Sequence, residues 1–443
     1  MTSFNGSAAL DDPRAIMASR PMGGAQWLAV IACILLNALD GFDVLSISFA
    51  SPGIAAEWGV DRAALGVVLS MELIGMAAGS VIIGGLADRL GRRPIILGCL
   101  VLMAVGMGLA PLAWDLPSLS AIRMATGLGI GGMLACTNAM VAEFANDRRR
   151  HLAVALMAGG YPLGAVAGGA VASMLLSGGE WRHVFVFGAI CTAACLPLAW
   201  ILLPESVGFL TNRRRAGDLE RVNHQLTRMG HPTVAALPPP SPKAVKPSLG
   251  QLFAPGMARA TLLLTFAYAA HIMTFYFILK WIPKIVVDMG YAPSLAGGVL
   301  VWANVGGLSG AVLLSLLTTR INLRPLVIGA LILSAGFVTL FGQVQDGLGM
   351  LALLAAVAGF CTNAGVVGFY ALLAQAFPTT LRAGGTGFAI GVGRGGAVLG
   401  PIVAGLLFAQ GLGLGLVALV MALGSLMAAV ALVGLPSKPA TVD

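Results

Sequence analysis

Seven ionisable side chains lie deep inside apolar runs: Asp40, Asp43, Glu72, Arg123, His271, Lys280 and Arg394. Their types allow proton exchange (the carboxylates and the imidazole) and anion binding (the cations). The most concentrated stretch is Ala38-Leu39-Asp40-Gly41-Phe42-Asp43-Val44. Acids three residues apart project from one face of a helix. A charge at membrane depth costs a few kcal/mol or more, so it is kept where it meets a cavity, a partner charge or a proton path. Asp40 and Asp43 can therefore carry protons, or can simply lock helices together.

The elements that must position them are membrane spans. The chain of 443 residues is 58% hydrophobic and 10% charged, with a mean hydropathy of +0.91. That composition excludes an ordinary soluble globular protein. Apolar runs of about 20 residues, each long enough to cross a bilayer, recur near Trp27–Ala50, Ala63–Leu86, Pro94–Ala113, Ser118–Phe144, Leu152–Leu176 and His183–Leu203. Six more follow near Ala260–Val287, Ser294–Leu317, Pro325–Gln343, Gly349–Phe377, Ala383–Ala409 and Gly411–Leu435. The first residues are polar, of mixed charge and without a small-residue cleavage site, so no signal peptide is expected. The six cysteines are scattered without metal-ligand spacing, and no nucleophile–base spacing stands out; neither a metal, a cofactor nor an enzyme activity is expected.

The net charge of +8 is partitioned between loops. With the N-terminus inside, the inner segments hold Arg14, Arg20, Arg89, Arg92, Arg93, the runs 148–150 and 213–215, Arg221, Arg228, Lys243, Lys246, Arg259, Arg320, Arg324, Arg382 and Lys438. The outer segments hold Arg62, Arg182 and Lys284. This bias places both termini in the cytoplasm of a multi-pass inner-membrane protein and explains the basic charge without nucleic acid. The expected divisions are a tail at 1–26, a six-helix bundle at 27–203, a polar, Pro-rich linker at 204–259, a second bundle at 260–435 and a tail at 436–443. The bundles repeat. Leu86, Arg89, Arg93, Pro94, Gly98 and Leu100 recur 231 residues later as Leu317, Arg320, Arg324, Pro325, Gly329 and Leu331. Gly164-Ala165-Val166-Ala167-Gly168 recurs 232 residues later as Gly396-Ala397-Val398-Leu399-Gly400. Parallel six-span repeats are the plan of one large class of secondary transporters.

Between the second and third spans stands Gly84-Gly85-Leu86-Ala87-Asp88-Arg89-Leu90-Gly91-Arg92-Arg93. This resembles the signature loop of the major facilitator superfamily, and with the duplicated plan the resemblance covers essentially the whole chain. It implies an all-α membrane protein: twelve transmembrane helices in two six-helix repeats, the major facilitator fold. It also implies an inner gate latch, to which Asp88, Arg89, Arg92 and Glu143 are assigned. The second-half copy departs from the pattern, with Thr319 in the place of Asp88. Within the superfamily, Leu39-Asp40-Gly41-Phe42-Asp43 is similar to the first span of the aromatic acid/proton symporters. Phe377-Pro378-Thr379-Thr380-Leu381-Arg382-Ala383 and Gly391-Val392-Gly393-Arg394 resemble the corresponding later regions; Arg382 joins the gate group.

Depth sorts the buried charges. At 1.5 Å per residue, Asp40 and Asp43 lie roughly 20–24 Å from the inner surface and Arg123 roughly 8 Å from the outer one. In a core of about 30 Å, Arg123 and Asp43 share a level. Arg123 is expected to pair with Asp43 or Asp40, or to snorkel outward. Glu72, near mid-depth, is either a second proton carrier or a neutral helix contact. Arg394, roughly 17 Å deep, has no acid within the spans of its own half, where the acids are Asp288, Asp346 and Asp443. A substrate carboxylate or backbone carbonyls must meet it. Lys280, beside Trp281, either snorkels or reads a second anionic group. His271 stands nine residues away, on the opposite face of a straight helix, and is a weaker candidate for substrate contact or a structural histidine. Phe42, Tyr161 and Tyr276, with Tyr268, Phe275, Phe369 and Tyr370, can stack on a ring.

Together these residues point to a monomeric, proton-coupled symporter of an aromatic carboxylate. Asp40, Asp43, Arg123 and Glu72 would handle the proton, and Arg394, His271, Phe42, Tyr161, Tyr276 and Lys280 the substrate. A symporter of aliphatic or dicarboxylic acids is the alternative, and a non-transporting membrane sensor a more distant one.

Overall fold

The computed structural model describes residues 12–239, 249–344, 347–378 and 381–435. Lys243, Lys246, Asp346, Thr379, Thr380, Lys438 and Asp443, part of the Pro-rich run and the 436–443 tail lie outside the described residues. Fifteen α-helices occur among those described. The first half comprises α1 (Pro13–Ser19), α2 (Gly24–Trp58), α3 (Arg62–Leu90), α4 (Arg92–Leu109), α5 (Leu116–Phe144), α6 (Arg150–Leu175) and α7 (Arg182–Leu202). Between the halves lie α8 (Val207–Arg213) and α9 (Asp218–Arg228). The second half comprises α10 (Ala258–Asp288), α11 (Pro293–Leu317), α12 (Leu323–Gln343), α13 (Leu348–Ala376), α14 (Arg382–Ala409) and α15 (Leu414–Val433). Twelve of these are long and apolar enough to span a membrane.

Local chemistry sets the helix ends. Gly59, with φ of +60°, closes α2, and Asp61 caps α3 by accepting from the Ala64 amide at 2.7 Å. The first span runs on to Trp58, past the expected end at Ala50, although Pro52 lies inside it. Its extra turns are held against α7: the Trp181 indole N–H donates to Glu57 at 2.7 Å, and Arg182 pairs with Glu57 at the same distance. Gly91, with φ of +104°, makes the tight α3–α4 turn. A Cβ there would strike the Glu205 carboxylate and meet a backbone conformation unsuited to side chains.

The two halves share one packing scheme. In the first, α2 packs on α6, α3 on α5 and α4 on α5 and α7. In the second, α10 packs on α14, α11 on α13 and α12 on α13 and α15. The halves meet through α3 against α14, α6 against α11 and α2 against α10. These contacts gather at the end opposite the termini. Arg62 pairs with Asp288 at 3.0 Å, the Ser70 hydroxyl donates to the Val398 carbonyl at 2.7 Å, and Gly297 lies against Ser173 and Phe49. Toward the termini the same helix faces are uncovered. Ala158, Ala155 and His151 on α6, Val312 and Ser315 on α11, and Gly391 and Gly387 on α14 are all exposed. The bundle is thus closed at the far end and open toward the termini.

Helices α1, α8 and α9 cover the terminal end of the first half. The Asp218 carboxylate bonds to Arg213 and to the Arg215 amide, and the Arg213 bond chiefly holds it below the usual carboxylate range. His231 bonds to Gln26, which donates in turn to the Phe144 carbonyl at 2.7 Å.

Candidate functional site

Asp40 and Asp43 project from one face of α2 into the interior of the first half, 1% and 0% exposed. Gly41 turns the other way, onto α6, where a Cβ would collide with the Tyr161 carbonyl. That close approach, which only glycine allows, holds the two acids inward. None of the four carboxyl oxygens has a hydrogen-bond partner among the described residues. Thr192 stands beside Asp43, but its hydroxyl hydrogen goes to the Gly188 carbonyl at 2.8 Å. It is left able to accept from a protonated Asp43 rather than donate to an ionised one.

The expected pairing of Arg123 with Asp43 or Asp40 is corrected. The Arg123 guanidinium makes its ion pair with Glu72, and meets Asp43 only through the backbone carbonyl, at 2.8 Å. It also contacts the Met107 sulfur at 3.0 Å and lies 5.3 Å from the Phe185 ring centre. Glu72 is therefore the carboxyl that Arg123 meets. Lys280 corrects a second expectation, because it turns inward rather than snorkelling. Its ammonium sits 3.5 Å from the other Glu72 oxygen and donates to the Val44 carbonyl. Glu72, Arg123 and Lys280 are all 0% exposed. Sharing a level with Asp43 was not enough to identify the Arg123 partner, since depth says nothing of rotation about the helix axis.

The cluster therefore holds three acids, Asp40, Asp43 and Glu72, and two bases, Arg123 and Lys280. It is electrically neutral when one acid is protonated.

Arg394 lies one helical turn from Val398 and faces the opening between the halves. It is half-buried and has no ion pair or hydrogen bond among the described residues. Tyr268 and Tyr276 of α10 are within its electrostatic reach. Tyr268 and Tyr370 approach to 3.5 Å between hydroxyls. From the opposite half, Tyr161 faces Tyr276, its buried hydroxyl lacking a partner that meets hydrogen-bond geometry. A free guanidinium among phenol rings and hydroxyls can hold a carboxylate at one end and a planar ring beside it.

Two expected substrate contacts are not there. Phe42 is 3% exposed and packs edge-on against Phe187 at 5.3 Å, with Gly168 and Gly188 beneath it. It fills the first-half core. Both His271 nitrogens are committed, to the Ser425 hydroxyl at 2.9 Å and the Thr362 carbonyl at 2.8 Å. His271 is a structural residue among α10, α13 and α15. It does part from Lys280, as their nine-residue spacing requires.

At the terminal end, Arg92 joins Glu143 at 2.7 Å and Asp88 at 3.3 Å. Asp88 thus pairs within its own half. Arg89 and Arg382 are exposed and have no ion pair or hydrogen bond among the described residues. Glu205 completes this group, accepting from the Arg92 amide at 2.9 Å. Sequence reasoning missed it, and also missed the cross-half Arg62–Asp288 pair. The acid-to-base count within the spans was the signal that could have led to Glu72–Lys280.

The profile of the Major Facilitator Superfamily matches residues 33–325 and 264–442. The chain belongs to the Major Facilitator Superfamily. It is 33% identical to a 3-(3-hydroxy-phenyl)propionate transporter of Escherichia coli (strain K12), over 94% of this chain and 95% of that one. It is 29% identical to a gallate transporter of Pseudomonas putida, over 94% and 92%. Among solved structures, a partially occluded inward-open xylose transporter from E. coli has the same fold. Its TM-score is 0.71 at 18% identity, over 91% of this chain and 96% of that one. As a superfamily member with transporter relatives, the chain is a multi-pass membrane transporter and not an enzyme.

Proposed function

We propose that the protein is a proton-coupled symporter that takes up an aromatic carboxylate, such as a hydroxybenzoate, across the inner membrane by alternating access. The observation that carries this reading is Arg394, a cation near mid-depth with no acid to neutralise it and with tyrosines around it. The named relatives, transporters of gallate and of a hydroxyphenylpropionate, support the aromatic class. The loop charge bias supports an orientation with both termini cytoplasmic, in which the opening faces the cytoplasm. A single chain contains every group the reading requires. The dicarboxylate alternative draws less support from Lys280, whose buried ammonium here meets Glu72 rather than the opening between the halves.

We assign the proton to Asp40. Arg123 lies close to Asp43, whereas the charged neighbours of Asp40 are the acids Asp43 and Glu72. In the cycle, Asp40 takes a proton while the far end is open, and Arg394 receives the carboxylate with Tyr161 and Tyr276 against the ring. The halves then rock, the far end closes, and both cargoes leave toward the termini. Asp88, Arg92, Glu143 and Glu205, with Arg89 and Arg382 on the surface, form the terminal gate that closes in the opposite state. Acid-driven uptake in proteoliposomes tests the reading. A panel of benzoates should be carried, and muconate-like diacids and benzamides should not. Uptake of the diacids in preference to benzoates would transfer the reading to the alternative.

A further inference from the structure

Glu72 and Lys280 form a fully buried ion pair across the two halves, and the cycle above does not use it. Lys280 belongs to α10 of the second half, whereas Glu72, Asp40, Asp43 and Arg123 all belong to the first. Lys280 stands eight residues from the far end of α10, about 12 Å along its axis. That is the side on which the halves are now in contact. Rocking the halves open there withdraws Lys280 from Glu72 and from the Val44 carbonyl. No other cation replaces it. Of the helices against α10, α11, α13 and α15 carry no acidic or basic side chain, α14 offers only Arg394 at this depth, and α2 offers only the two acids. The remaining charged groups, Glu72 on α3 and Arg123 on α5, stay with the first half.

We propose that Lys280 is the moving countercharge that resets the proton site, acting on Asp40 through Glu72. With the far end open, the cluster holds three acids and one base, and the Glu72 charge bears on Asp40, which takes a proton from the far-side water. When the far end closes, Lys280 returns to Glu72 as a second cation beside Arg123. The Asp40 O–H bond then breaks, the proton passes to water on the terminal side, and the carboxylate remains in a cluster that carries one negative charge fewer than it would without Lys280. Lys280 is a positioning residue for proton transfer and touches neither proton nor substrate. Tyr276 lies one turn before it on the same face of α10 and borders the Arg394 site. The helix that senses the ring therefore also carries the countercharge.

This rests on the proton-coupled reading, and the test separates the two. Full-length protein in lipid nanodiscs is titrated while infrared absorption follows protonated carboxyl groups, with Asp40→Asn identifying the relevant band. Lys280→Gln should keep that band to measurably higher pH, its midpoint raised, while Lys280→Arg titrates as the parent does. Lys280→Met, apolar and of similar reach, replaces the glutamine variant if that protein does not fold. Arg62→Gln, which breaks a cross-half contact without touching the cluster, should leave the midpoint in place. An unshifted midpoint in the neutral variants, or an equal shift in Arg62→Gln, would overturn the proposal. In proteoliposomes, Lys280→Gln should keep counterflow of 4-hydroxybenzoate and lose acid-driven accumulation by about tenfold or more, one unit of midpoint being a tenfold change. If the midpoint shifts but the parent carries no acid up a proton gradient, the symport reading fails and the countercharge stands. If the parent is proton-driven and Lys280→Gln is equally so, the countercharge fails and symport stands.

Discussion

Asp40 and Asp43 differ in their company more than in their burial. Both are closed off from solvent, yet only Asp43 lies close to a cation. Asp40→Asn is therefore expected to abolish accumulation driven by an acid gradient while leaving counterflow largely intact. Uptake that still follows the gradient in this variant would remove Asp40 from the proton role. Arg394→Ala should weaken a benzoate far more than the matching benzamide, by roughly 1.5–3 kcal/mol, the worth of a hydrogen bond to a charged group. Equal losses for acid and amide, measured by binding to the purified protein, would count against a direct contact. Arg123→Leu leaves a buried Glu72 with Lys280 alone. A buried pair broken on one side typically costs about 3–5 kcal/mol, so this variant should show a markedly lower unfolding temperature than Arg394→Ala. At this scale the sequence revealed which residues matter, because a charge in an apolar run stands out. It did not reveal the partners. Rise per residue gives depth, but Arg123 could choose between Asp43 and Glu72 only through helix rotation and neighbour identity.

The helices show what a sequence period can and cannot carry. Gly41 sits between the acids because α2 and α6 touch there, backbone to backbone. On α10 the nine-residue spacing separated His271 from Lys280, but it did not say which face met the other half. The second half keeps His271, and the first receives Lys280. The extension of α2 to Trp58 was hidden by Ser51, Pro52 and Gly53, which resemble a stop; Glu57, Arg182 and Trp181 supply the tertiary contacts that override them. The linker gives a pH expectation. The Asp218 carboxyl is held below its ordinary value of 3.8, chiefly by Arg213. A depressed folded-state value means that its stabilising effect is present above the unfolded value and lost only as pH falls through the folded one. Limited proteolysis between α8 and α9 should thus be unchanged from pH 7 to 5 and rise only in stronger acid. Cleavage already rising at pH 5 would contradict this role of the pair.

Across the whole molecule, the duplicated plan was legible from offsets of 231 and 232 residues, and the matching helix contacts in the two halves follow from it. The conformation was not legible, since a sequence encodes both ends of a rocking motion. Closure at the far end is marked by Arg62 and Asp288, which sequence reading had treated as loop charges. An exposed pair contributes only about 0.2–1 kcal/mol. Reversing Arg62 to Asp should accordingly slow uptake by only a few fold, and the exchanged pair Arg62→Asp with Asp288→Arg should recover most of it. No recovery in the exchanged pair would mean that the contact is incidental to closure. On the proposed reading the anion site and the proton site fall on opposite halves, joined by α10 through Tyr276 and Lys280, so neither half alone would couple the two cargoes.

Coupled uptake in proteoliposomes tests this division most directly. With acid outside and 4-hydroxybenzoate as cargo, the protein should accumulate the label above equilibrium, an uncoupler should collapse that accumulation, and Arg394→Ala and Asp40→Asn should each lack it, with only Asp40→Asn retaining counterflow. Accumulation indifferent to the proton gradient, or counterflow surviving in Arg394→Ala but not in Asp40→Asn, would contradict it.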